Sequence, residues 1–279
     1  MIPLAETQSA MPSSRTAIIL GATADIGRQL AERLSSDNWN VVGIGRTALR
    51  LQELEKIPNL KAYQCSIADS NDVKRLAEEM RAAGYQWDLL VSCVGTTEPI
   101  GKFFETDFDE WERSIVVNFT AQLRVLHALW PLRRPERIVD VMLLAGGGTN
   151  GTFSNYSAYC VTKIALIKMC ELIHDEASDA NAFIIGPGYT RTRIHEETLR
   201  AGPIAAGRSY DKVRAYLEEQ GTSFDEIYEH MRWCMLRGRQ VAGGRNFSTV
   251  HDRWRDGGEE LANQLYDDPD AFRLRRRQP

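Results

Sequence analysis

Thr16-Ala-Ile-Ile-Leu-Gly-Ala-Thr-Ala-Asp-Ile-Gly-Arg28 is the stretch that decides the architecture. Its first five residues are apolar or β-branched and do not alternate with polar ones, so they read as a strand covered on both faces. A glycine follows at once, and from Ile26 to Ser35 apolar residues recur at helical spacing. Strand, tight turn and helix in direct succession open a parallel-sheet unit. Working outward, the unit repeats. Apolar runs return at Asn40–Gly45, Leu60–Cys65, Asp88–Ser92, Arg137–Leu144 and Asn181–Ile185, with amphipathic stretches such as Val73–Ala83 between them. The expected fold is α/β, a doubly wound parallel sheet.

The 279 residues are 43% hydrophobic and 26% charged, ordinary for a globular chain that can bury its own core. A formal charge of −4 gives no basic face for nucleic acid. No apolar run approaches the ~18 residues of a membrane span. Residues 1–14 lack the basic and apolar parts of a signal peptide and read as a flexible arm. The five cysteines form no CxxC and no Cys/His pairing at metal spacing, which points to reduced cytoplasmic thiols and to no metal. Beyond Pro187 the rhythm changes. Residues 191–243 are charged and helical, with Ser223 or Asp225 as a cap ahead of Ile227–Arg237. A Gly-Gly turn, a short run at Asn246–Val250 and a polar tail follow, the tail's arginine run reading as a solvated terminus. No second core is visible. Residues 15–279 are therefore expected to form one domain, with 191–243 a substrate-covering helical segment and 244–279 a C-terminal strand and tail.

In such sheets the ligand lies beyond the carboxyl ends of the strands, and the first strand–helix turn receives phosphate. Gly21 can make that turn, Gly27 lets helix and strand approach, and the helix N-terminus offers free N–H groups to a pyrophosphate. The usual middle glycine is missing, with Ala24 and Asp25 in its place. Asp25 suits a plain helix start equally well. The second strand closes on Gly45-Arg46-Thr47, with no acid before Glu53. A carboxylate there would serve the ribose of NAD, whereas an arginine serves a 2′-phosphate, so NADP(H) is expected over NAD(H).

Ser157-Ala-Tyr-Cys-Val-Thr-Lys163 carries the chemistry. Tyr159 and Lys163, four apart on a helix, share a face. A free phenol titrates near pH ~10, a neighbouring ammonium lowers that value, and the phenol can give its proton to a developing alkoxide. The same spacing also occurs in ordinary exposed Tyr–Lys pairs; position after the fifth predicted strand favours the chemical reading.

With these motifs in order, residues from about 15 to 190 resemble the short-chain dehydrogenase/reductase family in its compact branch. The resemblance implies a Rossmann-type fold and carbonyl–alcohol oxidoreduction with a nicotinamide cofactor. Gly21 and Gly27 match the outer glycines of TGxxxGxG, with Thr23, Asp25 and Ile26 in the same turn. Ser92-Cys-Val-Gly95 stands where the family has NNAG and keeps only Gly95. Trp111–Asn118 resembles the helix bearing the family's asparagine, which gives Asn118 the anchoring of a proton-relaying water. Pro187-Gly188-Tyr189-Thr-Arg-Thr192 matches PGxxxT, whose backbone after the glycine meets the nicotinamide amide and whose threonine meets phosphate. By the same resemblance Arg46 and Thr47 face the 2′-phosphate, and Ser66 and Ile67 face adenine, Ser66 standing where an aspartate is usual. Tyr159 becomes proton donor and acceptor, and Lys163 holds the ribose.

One departure matters most. The family's catalytic serine falls on Gly146, within Leu144-Ala-Gly-Gly-Gly148. Thr149, Ser154, Ser157 or a backbone N–H of the glycine run would have to replace it. Gly146, Gly147, Thr149 and Arg193 are the candidate substrate contacts. The segment after Thr192 holds Arg193, His195, Glu196, Glu197, Arg200, Arg208 and Tyr210, a polar cover that suits a small polar ketone such as a keto-sugar, cyclitol or amino sugar. Two other readings stay open: a sugar epimerase or dehydratase with tightly held NAD, and a non-catalytic cofactor-binding subunit. The family's habit of pairing two long helices, here near Phe108–Trp130 and Tyr156–Ala177, implies a homodimer or homotetramer.

Overall fold

The run Thr16–Leu20 forms β1, fully buried, at the centre of the sheet. The chain is seen in a computed structural model that describes residues 15–218 and 221–276. From β1 it passes through α1 (Asp25–Ser36), β2 (Asn40–Gly45), α2 (Ala48–Leu54), β3 (Leu60–Gln64), α3 (Ser70–Ala82) and β4 (Leu89–Ser92). It continues through α4 (Phe108–Ile115), α5 (Ala121–Leu129), β5 (Val139–Leu144), α6 (Ser157–Glu176) and β6 (Ala180–Gly186). Then come α7 (Arg193–Ala206), α8 (Arg208–Glu218), α9 (Phe224–Ala242), β7 (Asn246–Ser248) and α10 (Glu259–Asp267). The seven strands are parallel in the order β3-β2-β1-β4-β5-β6-β7. Strand order reverses between β1 and β4, which opens a crevice at their carboxyl ends.

Alternate residues of β1 feed two separate cores, as the period of a strand requires. Ala17 and Ile19 pack with α1, α2, α9 and α10, whereas Ile18 and Leu20 pack with α3, α5 and α6. Both sheet faces are thus covered, which is why the strands are continuously apolar. Trp87, fully buried before β4, donates its indole N–H to the Leu129 carbonyl at 2.8 Å and ties α5 to the sheet.

Two expectations need correction. The long helix near Phe108–Trp130 is not uniform. Between α4 and α5 the residues Val116–Thr120 widen into a π-turn, a form that occurs mostly as a single-turn bulge inside an α-helix. The covering segment 191–243 divides: α7 and α8 line the crevice, but α9 lies in the core, with Ile227, Met231 and Cys234 packed among sheet residues. Ser223 caps α9 in a reciprocal capping box with Glu226. In the tail's arginine run Arg275 and Arg276 are exposed, as expected of a solvated terminus, while the segment before it is bonded to the body of the protein. Arg273 donates to the Gly243 carbonyl at 3.2 Å, and Arg275 bridges Asp270 and Glu171. The arm expected at residues 1–14 lies outside the described residues.

Candidate active site

The first turn does what its glycines allow. Gly21 takes φ +75°, a conformation that L side chains rarely adopt, and a β-carbon on Gly27 would run into the backbone of Gly21. Helix α1 therefore starts hard against the end of β1, with its N-terminus at the crevice. The crevice is a cleft of about 1300 Å³. Single small-molecule sites run to ~300–1,000 Å³, so it has room for a dinucleotide and a second small molecule.

Almost every residue singled out in the sequence lines this cleft. Gly21, Thr23, Asp25 and Ile26 lie at one wall; Arg46, Thr47, Ser66 and Ile67 at the far end. Gly95, Tyr159, Lys163 and the run Gly146–Thr149 form the chemical end, with Pro187, Gly188, Tyr189, Thr192 and Arg193 across from them. Gly27 and Asn118 do not line it. Gly27 acts behind the wall as the close-approach glycine. Asn118 is fully buried, and its amide grips the backbone of Thr96 in both directions, accepting from the N–H and donating to the carbonyl, each at 2.8 Å. Its own carbonyl accepts from Gln122 Nε2 at 2.6 Å. In this structure Asn118 fixes the turn after β4.

Tyr159 and Lys163 project from the first turns of α6 into the cleft. Lys163 Nζ is 5.6 Å from the centre of the Tyr159 ring and donates to the Leu144 carbonyl at 2.8 Å. Both side chains are buried. Desolvation pushes the Tyr159 phenol up from its ordinary value, and Cys160 and Glu197 add to the rise. The same burial pulls the Lys163 ammonium down to about 8. The lowering of the phenol expected from the neighbouring ammonium is therefore not found. Removal from water is the largest cause, and Lys163 is not among the causes of the shift.

The hydroxyls proposed to replace the missing serine separate clearly. Ser157 accepts from Trp111 Nε1 at 3.0 Å, Ser154 does not line the cleft, and Thr149 does. At the cofactor end, Arg50 joins Arg46 on the lining; among the described residues neither has an ion-pair partner. Arg46 directly follows β2 and Arg50 lies in the first turn of α2, and the second arginine is one that sequence reasoning missed. Glu197 was read only as part of a polar cover over the substrate. It is buried and accepts from Thr97 N at 2.7 Å, Thr97 Oγ1 at 2.8 Å and Thr96 Oγ1 at 3.1 Å, which docks α7 on the turn after β4.

This arrangement of glycine turn, Tyr–Lys pair and parallel sheet agrees with the sequence comparison, in which the short chain dehydrogenase family matches residues 15–201. The chain belongs to the short-chain dehydrogenase family. It is similar to a benzil reductase ((S)-benzoin forming) of Saccharomyces cerevisiae, at 27% identity over 64% of this chain and 73% of that one. It is similar at 25% identity to a 7beta-hydroxysteroid dehydrogenase of Mediterraneibacter gnavus, over 90% of this chain and 92% of the relative. Its fold matches the crystal structure of a short-chain dehydrogenase/reductase from Saccharomyces cerevisiae with a TM-score of 0.79. That match covers 87% of this chain and 98% of the other at 19% identity. As a member of this family it is an NAD(P)-dependent oxidoreductase. The residues present fit such a cofactor: a turn shaped by Gly21 and Gly27, arginines at the far end with no ion-pair partner among the described residues, and Lys163 on the cleft lining. Among the described residues no helix is long and apolar enough to cross a membrane, and no cluster of His, Cys, Asp and Glu could hold a metal.

Proposed function

We propose that the protein reduces the carbonyl of a small polar molecule with NADPH, Tyr159 donating the proton. The observation that carries this reading is the placement of Tyr159 and Lys163, one helical turn apart, side by side in a cleft that also holds the phosphate-binding turn. When bound, the nicotinamide supplies the hydride. Everything else falls to the chain. Burial keeps the Tyr159 phenol protonated at neutral pH, which suits a group that gives a proton to an alkoxide. Lys163, still charged below its lowered value, balances negative charge as the proton leaves. Gly95 leaves the wall open: a β-carbon there would sit 3.6 Å from Lys163 Nζ. Thr192 is the N-cap residue of α7, beside the phosphate turn, and Thr149, on the cleft lining, is the hydroxyl proposed to meet the substrate.

The preference for NADPH rests on Arg46 and Arg50, two guanidinium groups without an ion-pair partner among the described residues, near the place where an NAD site keeps a carboxylate. A polar substrate is supported by the wall that α7 and α8 present, with Arg193, His195, Arg200, Ser209 and Lys212. The five free thiols support a reducing, cytoplasmic setting. Exposed Phe108 on α4 and Val161 and Leu172 on α6 support pairing of these helices between copies in a homodimer or homotetramer.

The test follows NADPH consumption over a panel of keto-sugars, cyclitol ketones and simple ketones. Tyr159→Phe should bind NADPH like the wild type and turn nothing over. Full turnover in that variant, or no NADPH binding by the wild type, sinks the reading.

A further inference from the structure

Asp25 stands where a dinucleotide turn keeps its middle glycine, and its exposed carboxylate is nonetheless engaged within the chain. It accepts from the backbone N–H of Arg193 at 2.9 Å, across 168 positions of sequence. Arg193 is the first residue of α7, and its N-cap Thr192 makes no side-chain capping bond. Asp25 therefore supplies the cap from another element. The geometry brings two helix N-termini, those of α1 and α7, to one place on the cleft, with a fixed carboxylate between them. Helix N-termini attract anions. The anion held here is the protein's own.

Resting on the cofactor reading above, we propose that Asp25 is a tethered anion that ties α7 across the phosphate groove. On this proposal the dinucleotide pyrophosphate must displace it to bind. Other contacts of α7 are made to segments other than α1. Glu197 is anchored at Thr96 and Thr97, the Thr198 hydroxyl accepts from Tyr156 at 3.1 Å, and the Ala205 carbonyl accepts from Asn155 Nδ2 at 2.7 Å. These hold α7 to the substrate side of the cleft. The Asp25 bond crosses to the side on which α1 begins, so it ties α7 to the rim of the phosphate turn in the empty protein. With cofactor present, the two negative groups compete for the same N–H groups. A glycine at position 25 would bring no such competitor. Asp25 is in this sense a positioning residue, whose cost falls on cofactor affinity.

Two readouts on Asp25→Asn and Asp25→Gly test the proposal. The first is NADPH affinity by fluorescence titration. Loss of the competing charge should tighten binding by about fivefold in both variants, the scale of a single charge at a helix N-terminus. The second is the rate of tryptic cleavage at Arg191 and Arg193 in the cofactor-free protein. Cleavage should be faster in both variants than in the wild type, and saturating NADPH should protect all three alike. Unchanged or weaker NADPH binding in the variants overturns the proposal, as does unchanged cleavage. A wild type that binds NADPH while the variants bind no tighter sinks the proposal alone. A wild type that binds no dinucleotide sinks the cofactor reading, and the proposal with it.

Discussion

The hydroxyl of Tyr159 occupies the space that a β-carbon on Gly146 would need. Glycine at 146 is thus the residue that lets the phenol lie where it does, rather than a worn-out serine position. Restoring the family pattern by Gly146→Ser should harm the enzyme. The ring is buried and has little room to retreat, and overfilling such a site costs about 1–3 kcal/mol. Displacing the proton donor by even an ångström removes it from its working geometry, so kcat should fall by about 10²-fold. Steady-state kinetics, with NADPH titration as a control for folding, measures this. A Gly146→Ser variant as active as the wild type would show that the phenol moves freely and that the close approach is incidental.

Burial places the Lys163 ammonium at about 8, below the 10.5 of a free lysine. The sign follows directly. Below pH ~8 the group is charged and can balance a phenol losing its proton; above it the group is neutral and cannot. Tyr159, pushed upward, does not titrate in the same window. The rate of carbonyl reduction should stay level through neutrality and then fall as a single group deprotonates, approaching about tenfold per pH unit. A pH–rate profile at saturating NADPH checks it. A rate that climbs through that window would assign the site the opposite proton traffic.

Much of this was legible before any coordinates. Continuous apolar runs such as Thr16–Leu20 announce strands buried on both faces, and the observed strand bounds differ from the expected ones by a residue or two. The Tyr159–Lys163 spacing places both side chains on one helical face whatever the surroundings. What stayed hidden depends on tertiary contact. Nothing in the periodicity of Val116–Thr120 marks a π-turn, since the apolar face continues through it. An amphipathic helix such as α9 reads the same whether it covers a cleft or a sheet, and only packing decides. Glu197 read only as one charge of a polar cover because its partners, Thr96 and Thr97, lie about a hundred positions upstream. The bond between Asp25 and Arg193 is invisible for the same reason.

Arg46 and Arg50 flank the end of β2 without acidic partners among the described residues, and both line the cleft. A guanidinium on a phosphate forms charge-assisted, forked hydrogen bonds that a lone ribose hydroxyl cannot match. Arg46→Ala and Arg50→Ala should each weaken NADPH by about tenfold, the scale of one charged hydrogen bond, and leave NADH nearly unchanged. Isothermal titration with the two cofactors separates the cases. An equal loss for both would move the arginines from the 2′-phosphate to the pyrophosphate.

Arg245 is almost completely buried beside β7, where burial pulls its guanidinium down to about 10. It donates to five backbone carbonyls: Gln240 at 3.1 Å and Val241 at 2.8 Å at the end of α9, Leu265 at 2.5 Å and Asp268 at 3.0 Å around the end of α10, and Ala271 at 3.1 Å. One side chain thus joins the last helix and tail to the sheet. Arg245→Met fills the volume but leaves those carbonyls without donors, at about 1–3 kcal/mol for each one water cannot reach. A loss of roughly 3 kcal/mol is expected, a drop of about 6–12 °C in Tm for a chain of this size. Proteolysis should release the segment after Gly257 before the rest unfolds. Arg245→Lys keeps the charge but offers only three donors on a single head, and should fall between the two. An Arg245→Met protein that melts like the wild type would mean the tail is held by its apolar contacts, Phe272 against Phe247 among them, and that the arginine is redundant.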